Sequence, residues 1–262
     1  MYNSAKQMMC EKKFQMVTVS NRLKFFLITL QEEQGANPMK TKTKSKASIK
    51  RILSTLDHLY PFDETCFLHY SPNHPWQLLF ATILSAQCTD DRVNQVTAEL
   101  FVQFPTLEAF ATANITELES AVRPTGFFRH KANHLQQSAK KLIHEFGGEV
   151  PSNMDALTSL SGVGRKTANV VRSHIFKLPS ITVDTHVMRI TKKLGLTEHT
   201  DPVKIEFDLM EILPKTHWIR YNQQVITHGR QVCTARSPKC HNCELSKECN
   251  IFATINKSTK GM

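Results

Sequence analysis

The sequence predicts an all-α protein on three observations: apolar residues recur at three- and four-residue intervals from residue 47 onward, proline or glycine separates the runs, and no segment alternates as a half-buried strand does. The first run, Ile49, Ile52, Leu53, Leu56 and Leu59, stops at Pro61, whose ring and missing N–H cannot continue a helix. Trp76, Leu79, Phe80, Ile83 and Leu84 mark a second helix, and Val93, Val96, Leu100 and Phe101 a third, followed by Pro105. A long pattern through Ala132, Leu135, Leu142, Ile143 and Phe146 closes at Gly147-Gly148, a pair suited to a left-handed helix cap. Further helices are expected over about 164–177, 185–194, 202–213 and 216–228, and no internal repeat stands out.

At 262 residues the chain can bury a substantial core, and ordinary domain sizes favour two domains. Lys plus Arg number 33 against 23 Asp plus Glu, a formal charge of +10 that points to a polyanionic partner, nucleic acid first. No apolar stretch reaches the ~20 residues that a membrane span needs, and Lys24 interrupts the best candidate at Phe25, Phe26 and Leu27, so a soluble protein with no membrane partner is expected. Residues 1–38 lack helical periodicity, and Met39 then opens a lysine-alternating arm, Lys40, Lys42, Lys44 and Lys46. Residues 1–46 therefore read as a disordered extension with a basic arm, or as sequence upstream of a true start at Met39. A transit peptide is the rival reading, against which Glu11, Glu32 and Glu33 count.

Four cysteines fall within seventeen residues, Cys233, Cys240, Cys243 and Cys249, spaced C-x6-C-x2-C-x5-C. Such short intervals let one loop bring four thiolates round a common centre. Structural zinc usually draws on two C-x2-4-C knuckles with a longer spacer. Here a single knuckle is flanked by lone cysteines, which favours an iron–sulfur cluster over zinc. Two disulfides or four unrelated thiols are the alternatives, and disulfides are rare in the reducing cytosol expected for a chain without a secretory signal.

Leu160-Ser161-Gly162-Val163-Gly164-Arg165-Lys166-Thr167-Ala168 reads as a tight hairpin feeding into a helix. Glycines permit positive φ and close backbone approach, and the unpaired N–H groups at the helix start, with the positive dipole end, suit a phosphate. An ordinary helix-turn-helix with glycines for tightness is the plainer reading. Lys166 sits where the dipole and Arg165 disfavour a further positive charge, which favours a neutral, nucleophilic amine. Eighteen residues later Val183-Asp184-Thr185-His186-Val187 places Asp184 before a helical run, as a cap or, paired with Lys166, as a carboxylate for covalent chemistry at a sugar carbon. His186 stands near by position but is left outside the catalytic set.

The stretch 160–171, Val183-Asp184-Thr185-His186-Val187, His228-Gly229-Arg230 and the four spaced cysteines together resemble endonuclease III, the helix-hairpin-helix DNA glycosylase, over about residues 47–255. Leu84-Ser85-Ala86-Gln87 with Thr89-Asp90 matches the segment where that family inserts a glutamine into the gap left by a flipped nucleotide. The resemblance implies a two-lobed fold: a helical barrel at 68–178 carrying the hairpin, and a cluster lobe built from the N-terminal helix of 47–67 with 179–255, leaving 256–262 as a tail. Double-stranded damaged DNA would lie across the cleft.

The same resemblance makes Lys166 the amine nucleophile, Asp184 the assisting carboxylate, and Cys233, Cys240, Cys243 and Cys249 the ligands of a [4Fe-4S] cluster. Its loop would present Arg236 and Lys239 to phosphate, beside hairpin contacts from Gly162, Gly164 and Arg165. Ser161 departs from a common proline, which loosens the turn. The match at Gly126-Phe127-Phe128-Arg129 is loose, with Phe127 the wedge candidate unless it is a core residue. The implied activity is a bifunctional glycosylase and abasic-site lyase on oxidised pyrimidines, working as a cytoplasmic monomer, nucleoid-associated in a bacterium. The rivals are a cluster-bearing glycosylase of other base specificity, such as the adenine-specific branch, and a non-catalytic DNA-binding iron–sulfur protein.

Overall fold

The structure, a computed structural model, describes residues 44–64 and 66–252. The expectations for residues 1–43 and for the tail 256–262 lie outside them. Eleven α-helices lie wholly within the described residues: α1 Lys46–Leu59, α2 Pro75–Leu84, α3 Asp90–Gln103, α4 Leu107–Thr112, α5 Ile115–Val122, α6 Phe128–Phe146, α7 Met154–Thr158, α8 Arg165–His174, α9 Thr185–Lys193, α10 Pro202–Ile212 and α11 Trp218–Gln231. No described residue is in a strand.

Side-chain oxygens at the helix starts receive N–H groups that the helix cannot pair itself: Ser45 caps α1, Thr89 caps α3 and Asp201 caps α10. At the far end of α6, Gly147 takes φ +63 and Gly148 donates its N–H to Leu142 O at 2.9 Å, as the glycine pair predicts. The helix expected over 164–177 ends sooner, at His174, because Lys177 turns to φ +52 and Leu178 N–H folds back onto Arg172 O. Short helices α4, α5 and α7 add to those that the sequence pattern marks.

The apolar faces gather into two cores. One runs from Leu68 to Val171 and is centred on α2, in which every residue from Trp76 to Leu84 is buried, so this helix is enclosed on all sides. Trp76, Phe80 and Phe110 meet edge-to-face there with ring centres 4.9–5.6 Å apart. Each such buried side chain contributes about 1.5–3 kcal/mol relative to exposure. The second core joins Ile49, Ile52, Leu53 and Leu56 of α1 to apolar residues from Ile181 to Leu245, with Tyr221 at its centre, and Cys233, Cys243 and Cys249 pack against it. Between the cores, Asn169 Nδ2 of α8 donates to Ile181 O at 3.0 Å, which fixes the start of the second core against the hairpin helix.

Candidate active site and iron–sulfur loop

α7, a six-residue turn and α8 form the hairpin. Val163 N–H closes the turn onto Leu160 O at 3.2 Å, and Ser138 Oγ of α6 donates to Ser161 O at 2.8 Å. Gly162 takes φ +76, and a Cβ there would come within 2.6 Å of His134 Nδ1, so both backbone and neighbour demand glycine. Gly164 is different: its φ is −94°, open to any residue, and nothing lies within 4 Å of where a Cβ would sit. What this glycine leaves is open space before the first N–H groups of α8, which no side chain caps.

Lys166 stands exposed in the first turn of α8 and has no hydrogen-bond or ion-pair partner among the described residues. It lines a cleft of about 570 Å³ together with Asp184, His186, Ser85, Cys88 and Arg230. Asp184 also caps α9, its Oδ1 accepting the Val187 N–H at 2.8 Å. The two readings of Asp184, cap and cleft carboxylate, are therefore compatible, because the N-cap position is itself in the cleft wall. The cleft draws on both cores: Ser85, Cys88 and Lys166 come from segments of the first, Asp184, His186 and Arg230 from the second. Arg230 Nη2 ties them across to Asp90 Oδ2 at 2.8 Å.

His186, outside the set chosen from sequence, lines the cleft beside Asp184. Its ring fits because residue 229 is glycine, where a Cβ would approach His186 Nδ1 to 2.4 Å. Burial pushes the His186 pKa down, Asp184 opposes this, and Arg189 and Arg230 reinforce it. His174 also lines the cleft, held below the usual range by burial and then by Lys177.

Arg165 is engaged within the protein. Its Nε and Nη2 reach Glu206 Oε2 and Oε1 at 2.7 and 2.9 Å, and its guanidinium lies over the Phe207 ring at 5.0 Å. Its charge is thus matched by a buried carboxylate of α10, and the repulsion on Lys166 expected from it is offset. Gln87 and Phe127 share an unusual backbone: φ +54 and +48, both non-glycine and both exposed, Phe127 by 63 %. Such left-handed residues cost about 1–2 kcal/mol each, and here they lift one polar and one apolar side chain off the surface. Gln87 is flanked by the cleft residues Ser85 and Cys88. Beneath Phe127, the buried Lys131 donates its Nζ–H to Thr125 O at 2.7 Å.

After α11 the chain forms a loop with two single 3-10 turns, Cys240–Asn242 and Ser246–Glu248. Cys233, Cys240, Cys243 and Cys249 line one cavity of about 80 Å³, whose other walls include Val232, Pro238 and Phe252. All four are free thiols, and among the described residues no three metal-ligating side chains converge on a single point. Four half-buried thiols around an apolar chamber fit a cubic cluster better than one zinc ion. Burial and the neighbouring cysteines raise the Cys243 thiol pKa, a destabilisation that metal ligation relieves. The loop is fastened by Arg189 Nη2 to Cys233 O at 2.8 Å. Arg236 and Lys239 are exposed on it. Of the residues given a catalytic role from sequence, Lys166 and Asp184 meet in the cleft, while the four cysteines meet at their own cavity.

Comparison with known proteins places these features in a family. The profile of the HhH-GPD superfamily base excision DNA repair proteins matches residues 80–215, and that of the iron-sulfur binding domain of endonuclease III matches residues 233–249. The latter marks the loop as an iron–sulfur binding domain and, together with the endonuclease III relatives, indicates a [4Fe-4S] cluster. Endonuclease III of Synechocystis sp. is 49 % identical over 205 residues, covering 78 % of this chain and 92 % of that protein. Endonuclease III of Bacillus subtilis is 40 % identical over 202 residues, covering 77 % and 91 %. Among solved structures, that of a trapped endonuclease III–DNA covalent intermediate, in its estranged-adenine complex, superposes with a TM-score of 0.77 at 40 % identity, over 82 % of this chain and 100 % of that one. With its hairpin, its cleft and its cysteine loop matched over most of the length of these relatives, the chain belongs to the endonuclease III family of helix-hairpin-helix base excision repair proteins.

Proposed function

We propose that the chain is a bifunctional DNA N-glycosylase with abasic-site lyase activity in base excision repair, acting as a monomer on oxidised pyrimidines in double-stranded DNA. The observation that carries this reading is the unpaired Lys166 amine at the start of α8, in the same cleft as Asp184. A covalent intermediate with DNA, the state in which a relative was trapped, needs a nucleophile there, and Lys166 supplies it.

The damaged nucleotide leaves the duplex at a cost of a few kcal/mol, least where pairing or stacking is already impaired. Gln87 and Phe127, raised on left-handed backbone, enter the space it vacates. The uncapped N–H groups of α8 and the open face of Gly164 hold a backbone phosphate. The Lys166 amine attacks the sugar C1′, the C1′–N bond to the base breaks, and the base departs with its bonding electrons and a proton. Asp184 stabilises the positive charge that develops on the sugar. The C1′–O4′ bond then breaks, O4′ taking a proton to become a hydroxyl, and the opened sugar is left as a C1′ Schiff base to Lys166. Removal of a C2′ proton then expels the 3′ phosphate by β-elimination, cutting the strand. Cys233, Cys240, Cys243 and Cys249 hold the cluster, which when bound supplies a rigid fastening that sets Arg236 and Lys239 towards phosphate.

Among the described residues no helix is long and apolar enough to cross a membrane, and a cytoplasmic protein, at the nucleoid in a bacterium, suits this role. The deciding experiment is borohydride trapping on duplexes carrying single damaged bases. Wild-type protein should give a covalent adduct, with oxidised pyrimidines the preferred lesions. Lys166→Ala should bind DNA but give neither adduct nor strand cleavage, and an adduct formed at the normal rate by that variant would refute the assignment.

A further inference from the structure

The tripeptide His228-Gly229-Arg230 touches three separate parts of the molecule. Gly229 makes room for His186 in the cleft wall, and Arg230 bonds Asp90 across the cleft. His228 faces the other way. It is buried, its Nδ1 lies 3.0 Å from the Tyr60 hydroxyl, and its Nε2 lies 3.7 Å from Cys243 Sγ. The Tyr60 and His228 rings meet edge-to-face with centres 5.8 Å apart, so the imidazole is held in plane as well as at its edge.

The direction of these bonds follows from the sulfur. A thiolate bound to iron carries no proton, so a hydrogen bond between it and Nε2 must use a proton on the nitrogen. In the neutral ring Nδ1 is then the acceptor, and the Tyr60 hydroxyl is the donor that selects this tautomer. We propose that His228, oriented by Tyr60, donates an Nε2–H hydrogen bond to the Cys243 thiolate and thereby raises the reduction potential of the cluster. This rests on the reading that the four cysteines hold the cluster. The reduced cluster carries one more negative charge, part of it on the sulfurs, so an N–H dipole aimed at Sγ stabilises the reduced state more than the oxidised one. Because α11 carries this donor two residues before the Arg230 that spans the cleft, one helix both lines the cleft and contacts the cluster ligand.

The test is voltammetry of the iron-loaded full chain on an electrode, with iron content measured for every sample. His228→Leu removes the donor and keeps an apolar side chain. Its potential should fall by an equilibrium factor of about ten, which is ~59 mV for one electron. His228→Gln, whose amide nitrogen extends to the place of Nε2, should restore most of the difference. Tyr60→Phe should fall in the same direction by less, since the ring stays but loses its tautomer lock. An unchanged potential in an iron-replete His228→Leu protein, or a Gln variant no better than Leu, would overturn the proposal. If the Leu variant does not hold iron, Tyr60→Phe decides: no shift at full iron content overturns it. Wild-type chain that binds no iron would instead overturn the cluster reading, so the two failures remain distinct.

Discussion

Arg165 and Glu206 form a bidentate ion pair, with N···O distances of 2.7 and 2.9 Å, that joins the hairpin helix of the first core to α10 in the second. The Glu206 side chain is only 6 % exposed, so its carboxylate depends on this one guanidinium. Removing a partner of such a pair leaves an unmatched charge in a poorly hydrated place. With Arg165 itself partly open to solvent, the cost of Arg165→Ala should be about 2 kcal/mol, a fall of a few degrees in Tm. Lys cannot reproduce the fork, so Arg165→Lys should recover less than half of it. Thermal melting of the two variants checks this. If Arg165 were mainly a phosphate contact, Arg165→Ala would instead weaken DNA binding while leaving Tm unchanged.

The two hairpin glycines should separate under the same substitution. Gly162→Ala forces a side chain into φ +76 and against His134, and should destabilise the fold by about 1–3 kcal/mol. Gly164→Ala meets no neighbour and an ordinary φ, so Tm should hold within about 0.5 kcal/mol. The added methyl lies in the open space before α8, where a phosphate would approach, and DNA affinity should drop several-fold. Melting and DNA titration of both variants distinguish the conformational glycine from the one that keeps a binding surface clear.

That Lys166 and Asp184 would share a cleft, and the four cysteines a cavity, was legible in the sequence because each sits in a compact local motif. The longer helices were legible because their apolar periodicity runs for two turns or more. Helices α4, α5 and α7 have six, eight and five residues, too few for a period to show. Relationships between distant residues were hidden for another reason. Nothing local in Arg165 announces Glu206, 41 residues on, and nothing in His228 announces Tyr60 or Cys243. Phe127 read as a core residue as readily as a wedge, since burial is the common fate of phenylalanine; only its backbone, turned to φ +48, puts it outside.

Acid should destabilise the fold through its histidines. Burial lowers the pKa of His174 and His134 in the folded state, with Lys177 and His130 respectively adding to the effect. A base whose folded pKa lies below its unfolded value is protonated more readily in the unfolded chain. Its contribution is therefore complete above the unfolded value of about 6.5 and is lost as pH falls below it. Tm should be level between pH 7 and 8 and decline from about pH 6.5 downward. His174→Gln, which cannot take up the proton, should make that decline shallower, and an identical slope in the variant would show that His174 stays as accessible to protons in the fold as out of it.

Asp184 holds two roles in one side chain, and Asp184→Asn separates them. The amide oxygen of Asn can still accept the Val187 N–H that Asp184 Oδ1 accepts at 2.8 Å, and Asn is as good an N-cap as Asp. Helix α9 and the second core should therefore keep their stability to within about 1 kcal/mol, a small loss arising because a neutral cap no longer opposes the positive helix end. The cleft, however, loses the carboxylate that faces the space shared with Lys166. Charge stabilisation of a cationic sugar transition state by a group fixed before reaction is typically worth about 10²–10³ in rate, so base excision should slow by that factor while DNA affinity changes little. Single-turnover excision and melting measured on the same preparation give the answer. A variant that melts early but excises normally per folded molecule would mean that Asp184 serves α9 alone, and the carboxylate for the reaction would have to be sought elsewhere in the cleft wall, with Asp90 and Asp91 the first to examine.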